Sequence, residues 1–238
     1  KNATNYKDSG TVSELKSVLS YKTSLPLRKE GVNFFNIFSP NFMIRYAPGN
    51  MKNLNNDSVN LNYSNLYSIN KTSEIEEGLN AILGFDFKVN QKNTNKEKLS
   101  ISMGQVFNPR KNKKMPVKSS LNKKASDLVG DINYNFSKIG SIGYKFSLDN
   151  NFNDLNYNAI SSGLNFGKIN FNMDYLEETN NVGDEHYIST GVDLNINKYN
   201  KISLATKKNF KTDSTELYDI SYQYENDCLT AGLVFKRE

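Results

Sequence analysis

A two-residue rhythm restarts again and again along this chain, and it limits the fold more than any other feature. Ile169, Phe171, Met173 and Tyr175 alternate with Asn170, Asn172 and Asp174. Leu79, Ala81, Leu83, Phe85, Phe87 and Val89 alternate with Gly78, Asn80, Ile82, Gly84, Asp86 and Lys88. Successive side chains of a strand point to opposite faces, so each segment has one apolar face and one polar face. The pattern predicts about twelve strands joined by polar turns, hence one large all-β antiparallel sheet. The first is expected over 14–28 and the second over 33–46, with a bulge or kink at Pro40, which lacks a ladder donor.

The apolar face must meet either a protein core or lipid. No apolar run approaches the roughly 20 residues that a membrane helix needs. A hydrophobic content of 37% and a mean hydropathy of -0.64 would ordinarily suggest a water-soluble protein. In a spanning strand, however, only every second residue must be apolar. The polar face carries Lys16, Lys22, Asp86, Lys88, Asp131, Lys145, Asp174, Asp193 and Asp219, which suits a barrel lumen or the outside of a soluble sandwich equally. The apolar face separates the two. It holds no charge at the centre of the best-alternating strands, where a cation in lipid would cost about 2–4 kcal/mol. Tyr46, Tyr175 and Tyr224 fall toward strand ends, as an interfacial girdle requires, whereas Tyr144 and Tyr222 do not fit it. Brief turns at 138–140, 167–168, 197–200 and 226–227 interleave with mostly longer connections, the asymmetry of outer-membrane barrels. The connections at 90–97 and 210–214 depart from that rule. The fold expected is an antiparallel transmembrane β-barrel of outer-membrane type, with a soluble β-sandwich binding module as the alternative.

Little in the chain points to catalysis. The one histidine, His186, sits beside Asp184 and Glu185, but no G-x-S-x-G elbow marks a nucleophile. One His and one Cys far apart cannot supply four zinc ligands. Glu177, Glu178, Asp184 and Glu185 could offer oxygens to a hard cation, yet they lack EF-hand spacing and read as a solvated loop. The expectation is no enzyme, no cofactor and no metal. The net charge is +5, and Arg110, Lys111, Lys113, Lys114, Lys118, Lys123 and Lys124 fall in one connection. Clustered cations attract phosphate-bearing partners. Nucleic acid is not expected, because the aromatics lie in the strands and not among these cations. Cys228 has no partner thiol within the chain, so any disulfide must reach elsewhere. The chain starts at Lys1 without a signal peptide and stops just after a strand-like stretch, and both ends read as truncations.

Several stretches, in order, resemble the C-terminal barrel region of the lipopolysaccharide-assembly family LptD. They are FSPNFMIRYAP (38–48), DSVNLNYSNLY (57–67), EIEEGLNAILGFDF (74–87), ISMGQVFN (101–108) and YENDCLTAGLVFKRE (224–238). The resemblance implies a very large barrel in the outer membrane of a Gram-negative bacterium. Such a barrel encloses a plug lipoprotein of the LptE type and inserts lipopolysaccharide into the outer leaflet through a lateral opening. Residues 1–238 would form one partial barrel domain, without the N-terminal periplasmic domain and the terminal strands. The expected partners are lipopolysaccharide, the plug lipoprotein, membrane lipids and, through the missing domain, the periplasmic bridge proteins. Cys228 matches the family's late cysteine position, which forms a disulfide to the N-terminal domain. Asp227 precedes it here where the family has a second cysteine. Arg110, Lys111, Lys113 and Lys114 become candidate contacts for lipopolysaccharide phosphates. The competing function is a passive, porin-like diffusion barrel.

Overall fold

The computed structural model describes residues 16–136, 138–179 and 181–237. Its thirteen strand segments form one antiparallel sheet in which chain order is also spatial order. They are β1 (Leu19–Ser24), β2 (Leu27–Glu30), β3 (Phe34–Ala47), β4 (Gly78–Gln91), β5 (Glu97–Phe107), β6 (Leu128–Asn135), β7 (Gly140–Leu148), β8 (Leu155–Phe166), β9 (Ile169–Glu178), β10 (His186–Asn195), β11 (Asn200–Asn209), β12 (Ser214–Glu225) and β13 (Thr230–Arg237). One helical turn, α1 (Tyr63–Leu66), lies between β3 and β4. The sheet is open, with β1 and β2 along one edge and β13 along the other.

β1 and β2 are two halves of one strand. Leu19 faces Tyr46, Ser24 faces Asn41 and Leu27 faces Phe38, all in one continuous register on β3. The row is therefore twelve strands deep, as the alternation predicts. Residues 14 and 15 of the expected first strand lie outside the described residues. The interruption falls at Pro26, which has no N–H to give. The kink expected at Pro40 is absent: β3 runs straight through it, and Pro40 still faces Phe85 of β4. The Pro40 carbonyl accepts from Leu25 N–H at 3.1 Å, so the donor it lacks also points toward the edge strand. The defect is thus passed to β1 and β2, and the ladder to β4 stays whole.

Register carries the apolar rows across the sheet. Leu164, Phe171, Val192, Leu204, Ile220 and Phe235 are successive partners on six neighbouring strands, from β8 to β13. This face is bare: Leu83 is 51% exposed and Leu233 75%, and no second sheet packs on it among the described residues. A soluble sandwich buries that face against a second sheet, so the sandwich alternative fails. Tyr222, which did not fit a girdle, stands near the rim, its hydroxyl donating to Asn200 at the start of β11. Tyr144 stays in mid-sheet between Ile132 and Ile160.

The ends of the sheet differ. At one end no connection is longer than 92–96; at the other stand 48–77 and 108–127. Both departures from the sequence pattern remain: 92–96 is the longest connection at the short-turn end, and 210–213, at the long-loop end, is as brief as the turns opposite it.

Candidate functional site

The two long connections do not stand free in solvent. They fold over the polar face of β3 to β6 and meet there in the one apolar core among the described residues. Met43, Ile82, Val106 and Val129 project from the strands, Met51, Leu54, Leu61 and Leu66 from 48–77, and Met115 and Leu121 from 108–127. Ile82, Val129 and Leu66 are wholly buried. A surface expected to be wet is therefore dry over four strands, because each of those strands places an apolar residue among its polar ones.

Local chemistry holds this cover in place. Asn62 caps α1: its side chain accepts from Asn65 N–H at 3.2 Å, and the Asn65 side chain accepts from Asn62 N–H at 3.0 Å. Gly84 and Gly104, paired across β4 and β5, form the floor beneath the helix. A Cβ on Gly104 would collide with Leu66 Cδ2, and one on Gly84 would lie 2.5 Å from the Tyr67 hydroxyl. Arg45 is fully buried on the polar face of β3. It donates to the Glu76 carbonyl at 2.8 Å, to Asn70 Oδ1 at 3.0 Å and to the Ile69 carbonyl. One guanidinium therefore ties three points of the returning connection, a use suited to its rigid fork of donors. Asp86 makes a second anchor, accepting from Asn41 Nδ2 at 2.6 Å, Tyr63 OH at 2.8 Å and Ser102 Oγ at 2.6 Å. Burial, then the nearby Asp86 charge, pushes the Tyr67 phenol up to about 12. Burial also lowers the Lys71 ammonium, against the attraction of Glu76.

The basic connection meets 48–77 at the long-loop rim. Arg110, Lys111, Lys113 and Lys114 line one cavity of about 600 Å³ together with Glu76 and Glu77. Lys114 pairs with Glu77 at 3.1 Å. Burial would raise the Glu77 carboxyl, but the Met51 N–H and Lys114 outweigh it and hold the group below its ordinary value. Arg110, Lys111 and Lys113 are exposed and form no ion pair among the described residues. Lys123 is occupied by Asp127 at 3.3 Å. The structure thus brings the four candidate cations to one place and leaves three of them available.

The other candidates stand apart. Cys228 is an exposed free thiol in the 226–229 turn, at the short-turn end. His186 lies on the apolar face near the long-loop rim, its Nε2 3.2 Å from Tyr175 OH and its ring tilted on Phe210 with centroids 4.7 Å apart. That is an aromatic rim. In the acidic connection Asp184 pairs with Lys211, which holds its carboxyl below the usual range. Glu178 instead turns inward and is buried.

Sequence reasoning missed Arg45 and the apolar anchors of 48–77. The available signal was Met43, Ile82, Val106 and Val129, four apolar residues on the polar side of neighbouring strands, which together mark a covered patch.

Among known families, the model for LptD, LPS transport system D, matches residues 1–198. No curated protein matches the chain.

Proposed function

The chain belongs to the LptD family of lipopolysaccharide-transport proteins, matching its model over residues 1–198, and from that premise we propose that it is wall of a translocon delivering lipopolysaccharide to the outer leaflet. The observation that carries this reading is the division of the sheet into a bare apolar face and an opposite polar face partly sealed by the chain's own connections. Lipid covers the apolar face. The polar face borders a lumen that admits the sugar part of the glycolipid and meets a plug lipoprotein. Backbone donors and acceptors of a lipid-facing sheet are satisfied only by neighbouring strands, which every strand between the two edges has on both sides. No step of this function makes or breaks a bond.

Orientation follows from loop length. Short turns face the periplasm in outer-membrane barrels and long loops face outward. Arg110, Lys111 and Lys113 then stand at the outer rim, level with lipopolysaccharide phosphates, with Lys114 held back by Glu77. Cys228, in a turn at the opposite end, faces the periplasm, within reach of a thiol on the N-terminal periplasmic domain. That domain would contact the periplasmic bridge proteins.

The test is impermeant thiol labelling of the full-length protein in intact Gram-negative cells, in a Cys228→Ser background. Lys111→Cys is expected to label on whole cells and Lys168→Cys only after lysis. The reverse pattern would overturn the orientation. No labelling of either site until lysis would refute an outer-membrane location.

A further inference from the structure

We propose that the short-turn rim of the sheet binds anionic phospholipid headgroups through a row of turn lysines, Lys96, Lys138, Lys168 and Lys198. The proposal rests on the orientation given above, which sets this rim at the inner leaflet, and on the structure for the row itself. Four successive short turns, 92–96, 136–139, 167–168 and 196–199, carry five lysines and no carboxylate. Successive turns are two strands apart, so their tips follow one another about every 10 Å and the row extends about 30 Å along the rim. It ends at 226–229, where Asp227 stands instead. At the opposite end of β7 to β10, the connections 149–154 and 179–185 hold Asp149, Asp154, Asp184 and Glu185 and no cation. Over these strands the positive charge is sorted to one end.

The four lysines are open to a ligand. Lys92, the fifth, is occupied by Glu30 at 2.8 Å. Lys96 and Lys138 are exposed and form no ion pair among the described residues. Lys168 Nζ reaches the Ile196 carbonyl of the next turn at 3.2 Å, and Lys198 Nζ lies 4.5 Å from the Tyr199 ring centroid. Neither of these meets a carboxylate among the described residues. A phosphate arriving here displaces no internal ion pair.

The row stands where the apolar face ends. Ile169 follows Lys168 and faces Phe166 on one side and Leu194 on the other, and all three are exposed on the apolar face. Tyr199 follows Lys198, is exposed, and tilts its ring on Tyr224 with centroids 6.3 Å apart. Lysine lays its methylene stem along apolar surface and keeps its ammonium in water, the posture of a side chain at a lipid–water boundary. An acidic protein docked on the lysines would leave Phe166 and Ile169 bare. A leaflet covers both, with acyl chains against the apolar residues and phosphates against the ammonium groups. Beside an anionic leaflet each such lysine strengthens association about fivefold.

The experiment uses the full-length protein in two formats. In detergent containing equal amounts of phosphatidylglycerol and phosphatidylcholine, the lipids that stay bound are counted by native mass spectrometry. The unaltered protein should retain phosphatidylglycerol in preference. Lys138→Gln, Lys168→Gln and Lys198→Gln combined should cut that preference about fivefold or more, and arginine at the same three positions should keep it. An unchanged preference in the glutamine variant, or none in the unaltered protein, would overturn the proposal. In cells, a photoreactive benzophenone side chain replaces Tyr199. This variant keeps an aromatic ring and all the lysines, so it carries the test should the glutamine variant fail to assemble. An adduct with phospholipid is expected. An adduct with protein alone, or no adduct, would overturn the lipid contact and leave transport standing. An adduct with lipopolysaccharide would set this rim at the outer leaflet and overturn the orientation together with the proposal.

Discussion

At the scale of single residues, the polar face is governed by a few buried charges. Arg45 joins β3 to three points of 48–77, and hydrogen bonds to a charged group are each worth about 1.5–3 kcal/mol. Arg45→Met keeps bulk but no donors. It is expected to leave the sheet assembled while exposing 69–77 to protease, and to raise ion conductance in planar bilayers by opening the cover. Unchanged protection and conductance would show that the clamp is idle. Glu77 gives a pH-dependent counterpart. Its folded value lies below its ordinary 4.5. Its contribution is therefore complete above about 4.5 and is lost as the pH falls through the depressed value. The link between 48–77 and 108–127 should loosen in acid, read as faster amide exchange at Met51, and Glu77→Gln should show that loosening already at neutral pH.

At the scale of elements, each strand performs two tasks through its alternation. Leu83→Arg tests the apolar side. If lipid covers this face, the substitution should destabilise the folded protein in bilayers by about 2–4 kcal/mol, measured by denaturant titration. If water covers it, an exposed position should tolerate the cation with little change. Gly104→Val tests the other side. The added side chain would collide with Leu66 and with the Leu83 carbonyl, so α1 should lift and β4 should shift locally against β5. Protease sensitivity of 57–67 with the rest of the sheet retained is the expected result. These elements also show what the sequence made legible. A strict period of two is a local property, so strand number, both faces and the turn at Gly167 and Lys168 could all be read from it. The cover could not. Residues 48–77 have no period, and Met51, Leu54, Leu61 and Leu66 are scattered among asparagines; they gain meaning only where β3 to β6 present matching apolar spots. Pro40 misled for a related reason, since its missing donor shows in the neighbouring strand, which a single segment cannot reveal.

At the scale of the whole molecule, the position of the basic cluster was legible and its state was not. Strand parity assigns 108–127 to the long-loop end, but only folding brings Glu77 to Lys114 and Asp127 to Lys123. Of the seven cations in that connection, the structure singles out Arg110, Lys111 and Lys113 as the exposed ones facing a cavity. Swapping all three for serine should reduce delivery of lipopolysaccharide to the cell surface without lowering the amount of assembled protein, both measured in the same cells. Wild-type delivery would remove the rim from the pathway. The sheet itself has one further consequence. Every strand after β2 adds beside its predecessor in the chain, so the growing border always has its next partner tethered by a turn of a few residues or by a connection that folds back on the sheet. No step waits for a distant segment to arrive. Construction can therefore advance hairpin by hairpin, like a zip drawn from one side, with each pair entering the bilayer already half satisfied.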